Sequence, residues 1–227
     1  MKNSALICCT LALISLLGCK KYDELLPEPQ VQTISASQAE LIASFSGLTR
    51  DGQGGACNLV YNTADIPDIL CRIVLNAREG SEIIFLVDKT SSMLDDIDEV
   101  KANINEIIDC LPEGVRLGAA TYGDNREDDP EEWYDRTDLT ENYEEIRNYV
   151  NAITVVGGGD IPESVYDALW KTLDEMPWKD CKAPDMIIVM GDAPPKEGAD
   201  TDHDADDVLE KAESLCPGTE FYPVIIL

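Results

Sequence analysis

Two short runs of apolar residues constrain this chain more than any other feature. Ile83-Ile84-Phe85-Leu86-Val87 and Met186-Ile187-Ile188-Val189-Met190 have no polar residue at alternate positions. A strand with one face in water alternates, whereas a continuous apolar run belongs to a strand covered on both faces, as in a parallel sheet. Helix-spaced segments lie between and around them. Residues 93–110 put Ile97, Val100, Ile104, Ile107 and Ile108 on one side of a helix, and Pro112 and Gly114 then break the chain. Val115 to Tyr122 reads as a second strand and Trp133 to Leu139 as a third, at the edge. Residues 142–152, 162–175 and 203–215 read as helices, with Pro162 in the first turn of the second, and Phe221 to Leu227 as a final strand. This alternation predicts an α/β fold, a doubly wound and mostly parallel sheet with helices on both faces. Ligands of such sheets gather beyond the carboxyl ends of the strands, where strand order reverses. The residues just after Val87, Tyr122 and Met190 are therefore the candidates for function.

The first residues read as an address. Lys2 precedes an apolar stretch, Ala5 to Leu17, that ends Leu16-Leu17-Gly18-Cys19. It is too short to span a bilayer as a mature helix and suits a signal peptide. A small residue directly before Cys resembles a bacterial lipobox, in which the Cys receives the lipid and becomes the mature N-terminus. Residues 1–19 are thus expected to be a lipoprotein signal with Cys19 lipidated, and the protein to be exported and membrane-attached through that lipid only. Lys20, and not Asp, follows the Cys. The inner-membrane retention signal is missing, and the outer membrane or cell surface is the expected destination. Residues 20–56 are polar, contain Pro27 and Pro29, and read as a flexible tether; residues 57–80 read as a lead-in, and residues 81–227 as the main domain.

Eight cysteines are present. Cys8 and Cys9 leave with the signal and Cys19 is lipidated, so an odd set remains: Cys57, Cys71, Cys110, Cys181 and Cys216. None forms a C-x-x-C pair, so a zinc site is not expected. In a parallel sheet Cys110, Cys181 and Cys216 fall at the end away from the strands' carboxyl ends. Cys181 and Cys216 flank strands expected to be neighbours and are the first pairing, with Cys57–Cys71 pinning the lead-in and Cys110 left over.

Lys and Arg number 17 against 45 Asp and Glu, a net charge of −28. Such a surface repels phosphate backbones, which excludes nucleic acid as a partner, and favours cations wherever carboxylates converge. Three loops bring them together. After the first apolar strand comes Asp88-Lys89-Thr90-Ser91-Ser92-Met93-Leu94-Asp95-Asp96. Asp88, Thr90 and Ser92 alternate, so their oxygens can face one point, and oxygen-only ligation suits Mg²⁺, Mn²⁺ or Ca²⁺. Gly157-Gly158-Gly159-Asp160-Ile161-Pro162-Glu163 supplies further acids, and Gly191-Asp192-Ala193-Pro194 follows the second apolar strand. The plainer alternative makes Asp88, Thr90 and Ser92 a helix-capping turn, and Asp95 and Asp96 acids that complement a helix dipole. The run from Asp200 to Asp207 lacks the Gly of a calcium loop and reads as an acidic helix start. His203 is the single histidine and reads as solvated, which leaves a Ser-His-Asp or Cys-His enzyme without its base.

The D-x-[ST]-x-S pattern at Asp88, Thr90 and Ser92 resembles the metal-ion-dependent adhesion site of von Willebrand factor A domains. The likeness is nearest to the I-like domain of integrin β subunits, whose Met-x-Asp-Asp is matched by Met93, Asp95 and Asp96. Its Asp-x-Pro-Glu is matched by Asp160, Pro162 and Glu163, and its fourth-strand Asp by Asp192. Arg116-Leu117-Gly118 and the acid Asp124 also have counterparts. The resemblance covers residues 81–227 and implies a Rossmann-like fold with a main site of Asp88, Thr90, Ser92, Glu163 and Asp192. It implies an adjacent site at Asp95 and Asp96 and a third at Asp160 with Asp124, and leaves open whether Asp160 or Glu163 faces the main metal. The implied function is non-enzymatic: a divalent cation, Mg²⁺ foremost, presents an open position to an acidic residue of a protein partner. A whole domain of that family adds a helix, a sixth strand and a final helix after Tyr222–Leu227, so a C-terminal truncation is expected. Two rival readings remain. Asp88-Lys89-Thr90 with Gly191-Asp192 also resembles haloacid-dehalogenase-like phosphatases, which would make Asp88 a nucleophile. That family's Gly-Thr after the Asp-Lys-Thr, and its second Asp soon after the Gly-Asp, are missing here. A scaffold domain with a vestigial metal site is the other.

Overall fold

The apolar runs form the centre of a six-stranded sheet. A computed structural model describes residues 35–49, 55–125, 132–158, 161–179, 181 and 185–227. The signal segment, Cys19 and the beginning of the tether lie outside these residues. In chain order the elements are α1 (Ala36–Ser44), β1 (Asn58–Val60), α2 (Ile66–Val74), β2 (Glu82–Asp88), α3 (Ile97–Ile108), β3 (Arg116–Tyr122) and β4 (Tyr134–Arg136). Then follow α4 (Tyr143–Ala152), α5 (Val165–Glu175), β5 (Met186–Gly191), α6 (Ala205–Leu215) and β6 (Glu220–Ile226). The sheet order is β1-β6-β5-β2-β3-β4. Every pair is parallel except β3 with β4.

β2 is buried along its whole length, as a run without alternation requires. Ile83, Phe85 and Val87 pack with α2, α3 and α4, while Ile84 and Leu86 pack with α5, α6 and the segment after α1. The sheet is thus covered on both faces, the doubly wound arrangement expected. From β2 the chain moves outward to β3 and β4, then crosses back to β5 on the other side of β2. Strand order reverses beside the carboxyl end of β2, which locates the candidate site.

The structure revises several local expectations. Residues 35–49, read as part of a tether, contain a helix. Ser35 and Gln38 close a capping box at its start. Phe45 and Leu48, just beyond its end, are buried, and the Tyr166 hydroxyl donates to the Ser44 carbonyl at 2.7 Å. Leu41, Phe45 and Leu48 recur at helical spacing, a stripe that the polar composition of the segment conceals. The lead-in at 57–80 is β1 and α2, and no Cys57–Cys71 disulfide pins it. Cys57 packs with the α5–α6 side of the sheet and Cys71 with the α2–α3 side, so the sheet separates them.

Cys181 and Cys216 are bonded, with a Cα separation of 5.2 Å, and Cys110 is an exposed free thiol. β6 is not a sheet edge: β1 runs along it, pairing Val60 with Ile226. The first turn after β2 is a 3₁₀ turn, Ser91–Asp95, before α3 begins at Ile97. α5 begins at Val165, so Pro162 lies outside it. Backbone bonds from Glu163 N–H to Pro194 (2.9 Å) and from Lys196 N–H to Glu163 (2.8 Å) hold that stretch against the loop after β5. Among the described residues no helix is long and apolar enough to cross a membrane.

Candidate metal-binding site

Asp88 ends β2, beside Tyr122 at the end of β3 and next to Gly191 at the end of β5. Its carboxyl is fully buried. Oδ1 accepts the Thr90 backbone N–H at 2.8 Å and the Thr90 hydroxyl at 2.7 Å. The Ser92 hydroxyl donates to Asp192 Oδ1 at 2.8 Å, and the Thr90 and Ser92 hydroxyl oxygens stand 3.0 Å apart. Each hydroxyl has one proton to give. With both carboxyls ionised, the row Asp88–Thr90–Ser92–Asp192 therefore contains three contacts but only two protons. Two hydroxyl oxygens then face each other through lone pairs alone, an arrangement that a proton on one carboxyl or a cation beside the oxygens would relieve.

The second Asp88 oxygen points the same way. Oδ2 is buried, and the Tyr122 hydroxyl beside it acts on the Asp88 carboxyl without meeting it in good hydrogen-bond geometry. Burial pushes the Asp88 carboxyl up to about 7, against the lowering effect of the Thr90 bonds and of Tyr122, and the Asp192 charge raises it further. Burial likewise raises Asp192, with Asp96 adding to the effect. Tyr122 is raised well above its ordinary range, by burial first and then by Asp88, Glu163 and Asp192. Those three carboxyls, from three loops, thus act on one buried hydroxyl. Glu163 is 2% exposed, and its Oε1 lies 3.2 Å from where a Cβ on Gly158 would sit. That same Cβ would stand 2.8 Å from the Thr90 Cβ, and Gly158 has φ +73°, so glycine allows the loop to close over Thr90.

Five of the expected ligands, Asp88, Thr90, Ser92, Glu163 and Asp192, are therefore gathered at one place. Asp160 lies outside the described residues. Asp96 sits at the start of α3 without a side-chain cap bond, within electrostatic reach of Asp192, and Asp95 is exposed. Asp124 departs from expectation. It is fully buried, accepts Lys196 Nζ at 2.5 Å and the Ser164 hydroxyl at 3.3 Å, and so has an ammonium where a third cation was expected. Among the described residues no group of three or more His, Cys, Asp or Glu is arranged to hold a metal. Any cation at Asp88 depends on the two hydroxyls as well as the acids.

Lys89 does not compete with a cation there, because its ammonium reaches the Glu132 carbonyl. Sequence reasoning missed Tyr122 and Lys196; nothing near Lys196 in the chain announces a partner 72 positions away. It also misread His203, which stacks on Trp170 (centroids 4.3 Å apart) and contacts the buried Asp167 carboxylate through Nδ1 at 2.9 Å. Asp167 further accepts the Asn125 side chain at 2.6 Å and the His203 backbone N–H at 3.0 Å, tying the loop before α6 to the loop after β3.

The pilus adhesin SpaC from Lactobacillus rhamnosus GG matches in one crystal structure at 15% identity and a TM-score of 0.44, over 53% of this chain and 16% of the adhesin chain. Its open conformation matches at 14% identity and a TM-score of 0.41, over 51% of this chain and 15% of that one. No curated protein matches. The family model for the von Willebrand factor A domain matches residues 82–215, from the first residue of β2 to the last of α6. With more than half of its length inside that match, the chain belongs to the von Willebrand factor A domain family.

Proposed function

We propose that this domain binds a divalent cation, Mg²⁺ foremost with Mn²⁺ or Ca²⁺ as alternatives, and through it a carboxylate of a protein partner. Asp88, Thr90, Ser92, Asp192 and Glu163 are the residues that would hold it. The observation that carries the reading is the row of carboxyls and hydroxyls that lacks one proton, with Asp88 Oδ2 buried beside it and no donor in good geometry on it. A buried carboxylate oxygen without a well-placed donor is costly, and the ligand set is all oxygen, the chemistry of hard cations. When bound, the cation supplies an electrophilic position for an incoming carboxylate oxygen.

The chain's own residues do the rest. Thr90 and Ser92 contribute neutral oxygens, which keeps the negative charge around the ion low. Gly158 and Gly191 leave the room that side chains would fill. Lys196 neutralises Asp124 in the interior, so that acid does not add its charge to the cluster. The function is therefore binding and not catalysis. The phosphatase likeness of residues 88–90 loses its support because the Lys89 ammonium is turned to Glu132 and the family match is to a different fold family. We propose further that the protein is exported and lipid-anchored through Cys19, on the strength of the signal-like Ala5–Leu17 and the Gly18-Cys19 step.

Mn²⁺ in place of Mg²⁺ tests the open position. Bound Mn²⁺ should enhance water-proton relaxation, and acetate should reduce that enhancement as it displaces the water. No enhancement, or one indifferent to acetate, would contradict an open site; absent Mn²⁺ binding would favour a vestigial one.

A further inference from the structure

Among the described residues six large hydrophobic side chains are exposed, and three of them stand on the loops that build the candidate site. Leu94, 68% exposed, follows Ser92 by two positions. Val156, 52% exposed, is held there by its backbone N–H on the Lys89 carbonyl at 2.8 Å. Ile161, 67% exposed, precedes Glu163 by two positions. The loops are joined: Ser91 donates to the Gly157 carbonyl through N–H (3.2 Å) and hydroxyl (2.7 Å), and Gly158 packs on Thr90. Single exposed apolar residues need no explanation, but three on the loops that build one polar site call for one, and apolar surface around a polar site marks an interaction surface.

We infer that Leu94, Val156 and Ile161 form an apolar rim that selects protein segments whose metal-binding Asp or Glu is flanked by large apolar side chains. The inference rests on the carboxylate-binding reading above and adds the identity of the flanking residues. Charge complementarity sets the occupant. The cation attracts one carboxylate, while Asp95, Asp96 and the net charge of −28 repel any further acids around it. An acid without acidic neighbours satisfies both conditions, and the exposed Leu94, Val156 and Ile161 favour apolar over charged flanks, because burying apolar side chains against them excludes water from the ion contact.

The test uses the full chain with Mg²⁺ and three capped peptides, Val-Asp-Val, Ser-Asp-Ser and Val-Asn-Val, with binding followed by NMR. The inference expects Val-Asp-Val to bind about tenfold tighter than Ser-Asp-Ser or better. It expects Leu94→Ser/Val156→Ser/Ile161→Ser to bind both Asp peptides alike while retaining its Mg²⁺ affinity. Equal binding of the two Asp peptides by the native chain would overturn the rim and leave the carboxylate reading standing. Val-Asn-Val binding as well as Val-Asp-Val, or no Mg²⁺ binding, would overturn both. Sedimentation of the chain with phosphatidylcholine vesicles, abolished by the triple substitution, would show the rim to be a lipid contact and also overturn the inference.

Discussion

Lys196→Met removes the ammonium from a buried ion pair whose geometry sets the size of the effect. Lys196 Nζ is 2.5 Å from Asp124 Oδ2, with the two side chains 4% and 0% exposed. The Ser164 hydroxyl, at 3.3 Å from the other Asp124 oxygen, is a weak substitute. Methionine matches the lysine stem in bulk, so packing changes little and the dominant loss is electrostatic. Removing one partner of a buried ion pair costs about 3–5 kcal/mol. For a domain of this size each kcal/mol shifts Tm by roughly 2–4 °C, so a drop of about 6–20 °C follows. The double variant Lys196→Met/Asp124→Leu removes both charges and should recover most of the stability, since apolar replacement of a whole buried pair is often neutral. The assay is thermal unfolding by circular dichroism of the two variants and the native chain. A double variant no more stable than Lys196→Met, or a single variant within 2 °C or so of native, would refute the reasoning.

Gly191→Ala would put a Cβ 2.9 Å from the Tyr122 hydroxyl and 3.1 Å from Asp88 Oδ2. Overpacking of this kind costs about 1–3 kcal/mol, and because it displaces Asp88 it should also weaken Mg²⁺ binding in calorimetry; unchanged stability and affinity would show that the loop has slack. Asp185 tests pH linkage away from the site. Burial, then the Glu82 charge, raises its carboxyl to about 7, above an unfolded value of about 3.9. The folded state therefore holds the proton more tightly: the contribution is complete below about pH 4 and is lost as pH rises through 7, up to ~4 kcal/mol in all. Urea midpoints in chelator should fall less between pH 5 and pH 8 in Asp185→Asn than in the native chain, and an equal fall would rule the group out.

Much of the fold was legible because burial on both faces leaves a mark that needs no partner: Ile83–Val87 and Met186–Met190 admit no other strand environment. The ligand loops were legible for a related reason. Asp88, Thr90 and Ser92 alternate within one turn, and Glu163 and Asp192 follow elements that the same reading placed. What stayed hidden depends on tertiary neighbours. β1 is three residues long and becomes a strand by pairing with β6, while α1 and the turn after it intersperse Leu41, Ile42, Phe45 and Leu48 with serines, next to a polar, proline-containing stretch. The expected Cys57–Cys71 bridge rested on nearness in sequence, and the sheet lies between those two thiols. Asp124 looked like one more ligand because the lysine that neutralises it comes from a distant loop.

The central claim is that the oxygens around Asp88 form a cation site. Mg²⁺ titration by calorimetry of the native chain and of Asp88→Ala tests it most directly, with circular dichroism to show that both are folded. The account predicts saturable one-to-one binding by the native chain and its loss in Asp88→Ala with the spectrum unchanged. A native chain that binds no divalent cation, or a folded Asp88→Ala that binds Mg²⁺ with native affinity, would contradict it.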